Sequence, residues 1–100
     1  MSPKRIQLSR SRGWKKPPGA VVVSRPSRWG NPFTVVEHGR AGAVAAYRQY
    51  LRDNPALVTA AREELAGRDL ACWCPLADDE GRPVPCHAEI LLEVAAGGRP

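Results

Sequence analysis

Three cysteines and a histidine, Cys72, Cys74, Cys86 and His87, fall inside one stretch, CWCPLADDEGRPVPCH, which holds every cysteine of the chain. Thiolates and imidazole nitrogens are the usual ligands of zinc, which takes four of them in a tetrahedron with sulfur at about 2.3 Å. Side chains two apart on a strand share a face, so Cys72 and Cys74 can address one ion, with Cys86 and His87 closing the set. The spacing is less diagnostic than a pair of CxxC knuckles, and two other chemistries stay open. Cys86 at the start of a helix, with His87 beside it, has the placement of a catalytic thiolate. All three cysteines also suit a simpler role as small buried thiols.

A second group of residues with chemical potential is RPSRWGNPFT, residues 25–34. Arg25 and Arg28 suit bidentate contact with phosphate, Trp29 offers a flat face for a base, and Asn31 carries a paired donor and acceptor, with Ser27 between them. Pro26 and Pro32 fix φ and stiffen the loop. The same residues have a plain structural use, in which Trp29 and Phe33 roof the core and Asn31 closes a turn. Trp73 is expected in the core, Trp14 on the surface among lysines, and His38 on the surface.

Charge favours a phosphate-bearing partner. Residues 1–40 hold nine Lys or Arg and one Glu, a balance of +8, whereas residues 41–100 hold six Arg against nine acids, a balance of −3. Such asymmetry marks one basic surface on a chain whose net charge is +5. With 43% hydrophobic and 25% charged residues the composition is that of a soluble globular protein. No apolar run reaches the roughly 20 residues that span a bilayer, and the basic start lacks the apolar segment of a secretory signal. A cytoplasmic protein is therefore expected, and an odd cysteine count in a reducing compartment points to metal or thiol chemistry rather than disulfides.

The elements that must position these residues follow from periodicity. Ile6 and Leu8 alternate as in a short strand within a basic segment, residues 1–19. Ala20 to Ser24, with three successive valines, reads as a strand buried on both faces and hence central in a sheet. Val44, Tyr47 and Leu51 predict a helix from about Ala41 to Asp53, and Asn54-Pro55 predicts the cap and first turn of a second, ending at Gly67. Leu70, Cys72 and Cys74 alternate against Ala71 and Trp73 as a further strand. A last helix spans about His87 to Ala96, and residues 97–100 form a tail. The expected fold is a small single α/β domain over residues 20–96, with a short, mostly parallel sheet of about three strands and three helices packed on it.

Strands joined through helices are ordinarily parallel, with right-handed crossovers. The loop that begins at Arg25 and the pair Cys72 and Cys74 should then emerge at the same carboxyl edge, where open α/β sheets bind ligands. Cys86 and His87 return there at the start of the last helix.

SRPSRWGNPF, the helical Tyr-Leu segment, AGRDLACWCPL and CHAEILLEVA together resemble an uncharacterised family of small proteins found in phages and actinobacteria. The resemblance covers most of residues 20–96 and implies no activity. The residues themselves lead to a zinc-binding α/β protein that binds a nucleotide or nucleic acid through its Arg/Trp loop. One alternative is an enzyme on a nucleotide-like substrate, with Cys86 or Glu89 as the reacting group. His87-Ala88-Glu89 matches the His-x-Glu of zinc deaminases, but that signature needs Pro-Cys-x-x-Cys downstream and these cysteines lie upstream. The other alternative is a structural module that binds another protein.

Overall fold

A computed structural model describes residues 3–25 and 27–100. Met1, Ser2 and Pro26, the last expected to stiffen the Arg25 loop, lie outside the described residues. The elements run β1 (Arg5–Gln7), β2 (Val21–Val22), α1 (Val35–Arg52), α2 (Pro55–Glu64), β3 (Leu70–Cys72) and α3 (His87–Ala95). The three strands form one parallel sheet in the order β1-β3-β2.

The central strand is therefore β3, and the valine-rich β2 is an edge, contrary to the expectation from its composition. The reason is visible in burial. Leu70, Ala71 and Cys72 are all buried, whereas Val22 is 36% exposed. Both neighbours pair with Leu70 and Ala71, as Arg5 and Val21 stand beside Leu70, and Ile6 and Val22 beside Ala71.

The pleat sorts side chains to two faces. Leu70 and Cys72 join the main core with Val23, Trp29, Tyr47, Leu51, Leu65, Ile90 and Leu91, so all three helices lie on that face. Ala71 faces the other way into a small cluster with Ile6, Leu8 and Ala20. Register makes Arg5 and Gln7 share the helix-side face with Leu70 and Cys72. A charged residue on β1 is thus directed under the helix layer.

The helices follow their apolar stripes. Ala43, Tyr47 and Leu51 are the buried face of α1, and Val58 and Ala61 that of α2. Helix α1 begins earlier than periodicity predicts, because Thr34 caps a first turn by accepting from the Glu37 amide at 3.2 Å. Gly39, at φ 70° and ψ 163°, breaks this turn from the main helix. Asn54 stands at the α2 N-cap, but its amide donates to Tyr50 O at 2.6 Å and so closes the end of α1 instead. No helix among the described residues is long and apolar enough to cross a membrane.

One buried polar contact joins helix to loop. Tyr47 is fully buried, and its hydroxyl donates to Trp29 O at 2.8 Å. Burial raises the Tyr47 pKa well above that of a free phenol, so the group stays a donor. Tyr47→Phe strands that carbonyl in the core and should lower stability by about 1 to 3 kcal/mol. Thermal denaturation followed by circular dichroism checks this, and an unchanged midpoint would show that the loop holds without the bond.

Candidate metal centre and arginine cleft

Parallel pairing delivers the ends of all three strands to one edge, and α3 starts there. The Sγ atoms of Cys72, Cys74 and Cys86 lie within 4.8 Å of one another. Cys72 and Cys86 are buried and their sulfurs are 3.1 Å apart, while Cys74 is half-buried. Three thiols at this separation form a donor set compatible with a metal ion.

His87 stands beside this set rather than within it. Its Nδ1 is 3.6 Å from Cys86 Sγ, and its Nε2 is 2.8 Å from Val23 O. A carbonyl oxygen only accepts, so Nε2 carries the proton. Burial pushes the His87 pKa down, with the positive charges of Arg25 and Arg5 adding to the effect against the Val23 bond and the Cys74 charge. The ring is neutral, and its Nδ1 lone pair is left toward Cys86. Packing against Tyr47, edge to face with centroids 5.0 Å apart, holds the ring in place.

The sulfurs differ in charge preference. Hydrogen bonds from the Cys72 and Cys74 thiols lower the Cys86 pKa, against the opposing effect of burial, and the Ala88 amide and Arg5 lower it further. As the donating partner, Cys72 is raised by its bonds to Cys74 and Cys86 and by burial. Negative charge therefore settles on Cys86, at the N-terminus of α3, where the helix dipole favours it.

Arg5 is a residue of this site that its sequence context does not reveal. Its side chain is only 7% exposed, and its guanidinium lies against Cys86. Nη2 donates to Pro75 O at 3.2 Å and Leu76 O at 3.3 Å, and stands 3.6 Å from Glu89 Oε1. Nη1 is buried with no hydrogen-bond partner among the described residues. The only signal in the sequence is a cation on a strand with Ile6 and Leu8 on its opposite face, which becomes meaningful only once β1 is placed beside β3. Glu89 turns toward Arg5 and does not line the cleft described next.

The sulfurs form one wall of a cleft of about 420 Å³. Arg10, Arg25, Arg40, Phe33 and Trp73 are among the other residues that line it, and no carboxylate among the described residues does. Of the loop residues expected to bind a ligand, Arg25 and Asn31 reach this cleft. Asn31 spends its amide internally, donating to Ala43 O at 3.0 Å and accepting from the Phe33 amide at 2.9 Å. Arg28 turns away to pair with Glu64 at 2.9 Å and covers the Trp29 ring at 4.7 Å. Trp29 is 5% exposed and packs in the core, so it presents no face to a base. Ser27 also lies outside the cleft lining, and its hydroxyl is buried without a partner among the described residues.

The loop turns this way because Gly30 permits it. Two successive turns, Ser27 N to Ser24 O and Gly30 N to Ser27 O, both at 3.0 Å, fold Gly30 back onto Arg25. A Cβ at Gly30 would stand 2.9 Å from Arg25 Cα, closer than packing allows. Trp73, expected in the core, is instead 46% exposed, since it follows the last paired residue of β3. The Arg10 guanidinium lies 4.9 Å from the centroid of its ring.

A family model, Domain of unknown function (DUF4326), matches residues 6–97. No curated protein and no solved structure matches the chain.

Accessibility orders the thiols. In native protein freed of metal, iodoacetamide should modify the half-buried Cys74 first, with Cys72 and Cys86 reacting only on unfolding. Peptide mass spectrometry checks the order, and modification of Cys86 ahead of Cys74 would show that the thiolate is open to reagents.

Proposed function

The chain belongs to the DUF4326 family, and for this member we propose a zinc-centred α/β protein that binds a phosphate-bearing ligand, a nucleotide or nucleic acid, in the cleft beside its metal. Cys72, Cys74 and Cys86 supply three sulfurs, and Nδ1 of His87, which lies outside their 4.8 Å group but 3.6 Å from Cys86 Sγ, closes on the ion as the fourth donor. What carries the reading is the composition of one cleft wall to wall: three thiol sulfurs, three arginines and, among the described residues, no carboxylate.

The donor set suits zinc. A sulfur and a nitrogen on one tetrahedral zinc stand about 3.6 Å apart, and Cys86 Sγ and His87 Nδ1 are separated by 3.6 Å. Two sulfurs on the same ion stand about 3.8 Å apart, so Cys72 and Cys86, at 3.1 Å, move apart by a fraction of an ångström to admit it. The Val23 carbonyl acts as the outer partner that fixes the tautomer of a ligating histidine. Arg5 completes the charge balance. A buried guanidinium with an unsatisfied Nη1 is costly, and three thiolates on a divalent ion leave one negative charge for it to offset.

The arginines account for the ligand. Arg10, Arg25 and Arg40 form no ion pair with a carboxylate among the described residues, unlike Arg28, Arg48 and Arg82. Guanidinium groups facing a shared concavity attract and orient an oxyanion bidentately.

Metal analysis of protein purified without chelator should find one zinc per chain. Arg5→Met should weaken zinc binding by about 10- to 100-fold, the usual effect of losing an outer partner, with Arg5→Lys between the two. Competition with a chromophoric chelator reads the affinity. Protein free of stoichiometric metal that also fails to take up added zinc removes the metal centre, and equal affinity in Arg5→Met removes the role of Arg5 alone.

A further inference from the structure

The cleft carries more information than its charge. It combines a positive wall, in which Arg25 of the loop that the sequence marks for binding is joined by Arg10 and Arg40 from outside it, with one flat aromatic platform, Trp73. We infer that the ligand is a nucleoside monophosphate, its terminal phosphate held by Arg25 and Arg40 and its base laid on the Trp73 platform. This rests on the reading of the cleft as a site for a phosphate-bearing ligand.

Four observations lead there. The volume, about 420 Å³, is that of a small-ligand pocket rather than a long groove. A terminal phosphomonoester carries a charge of about −1.5 to −2 at neutral pH, which suits several guanidinium groups at one place better than the single charge of each diester in a strand. Trp73 is 46% exposed at the cleft wall, and the Arg10 guanidinium lies over one face of its ring, where it adds positive charge beside the aromatic surface. Bases stack on such surfaces with little regard to sequence.

The fourth observation concerns what lies beyond. The excursion between Cys74 and Pro85, both in the cleft wall, exposes Asp78, Asp79 and Glu80. Asp78 is fixed in a turn, its Oδ1 accepting from the Glu80 and Arg82 amides at 2.9 Å, and Glu80 pairs with Arg82, which leaves Asp78 and Asp79 as the acidic charge of this excursion. Carboxylates in the segment that joins two residues of the cleft wall disfavour a polyanion running past it more than a single nucleotide held within it.

The test compares ligands that separate ring from phosphate. Isothermal titration at low salt on the metal-loaded protein would use the four common nucleoside monophosphates, ribose 5-phosphate, inorganic phosphate and a short single-stranded oligonucleotide. At least one monophosphate should bind tighter than ribose 5-phosphate by about 10-fold or more, the scale of one base stacked on an aromatic ring. Trp73→Ala should erase that advantage and leave ribose 5-phosphate unchanged, and Arg25→Met or Arg40→Met should weaken both. Circular dichroism confirms that the variants fold, which the exposure of Trp73 and Arg25 favours. Equal affinity for monophosphate and ribose 5-phosphate, or no effect of Trp73→Ala, overturns the platform while the phosphate site stands. An oligonucleotide that binds tighter than every monophosphate overturns the inference in favour of a strand. Failure of every phosphate-bearing probe to bind removes the underlying reading as well.

Discussion

Parallel pairing of β3 on both sides is the constraint from which the rest of the molecule follows. Parallel strands need crossovers, and in so short a chain these consist of the basic segment between β1 and β2 and the helical hairpin between β2 and β3. Every strand then ends at one edge. Arg10, Arg25, Trp73 and the CWC run leave the sheet there, and α3 begins there. Residues far apart in the chain meet because the sheet has one polarity.

That edge is also where a small protein concentrates its buried polar chemistry. His87 bonds to the end of β2, Tyr47 bonds to the loop that follows it, and Arg5 bonds to the carbonyls after Cys74. Each contact satisfies a group that would otherwise be costly to bury, and each ties α1, α3 or β1 to the edge. The three thiols sit within this frame, Cys72 and Cys86 at 3.1 Å, with a neutral imidazole and a cation close by. A metal ion accepted there meets donors already held in place, so little ordering remains to be done on binding.

Much of this was legible in the residue pattern. Alternation across Leu70 to Cys74 placed Cys72 on the core side, the 3.6-residue spacing of Val44, Tyr47 and Leu51 gave the face of α1, and the start of α3 at His87 followed from the apolar stripe after it. The convergence of CWC, Cys86 and the Arg25 loop followed from crossover geometry. At Arg28 and Trp29 the structure places the loop residues away from the cleft. The loop's composition resembles a binding loop, but Gly30 folds it back, so Trp29 enters the core and Arg28 covers it. The valine run looked central because composition reports hydrophobicity, whereas rank in the sheet depends on which strand finds partners on both sides.

The sequence by itself determined the period of each element, and hence which side of each strand and helix is apolar, because steric alternation and helical pitch are local properties. It also determined that all the thiols and most of the positive charge lie in two stretches. Only the tertiary structure decided which charges meet which sulfurs. Arg5 reaches Cys86 through the register of β1 on β3, and Arg10, Arg40 and Trp73 join Arg25 through the shared edge, while Arg28 is drawn off to Glu64. Such pairings depend on distances between segments that are remote in the chain, and those distances exist only once the sheet has formed.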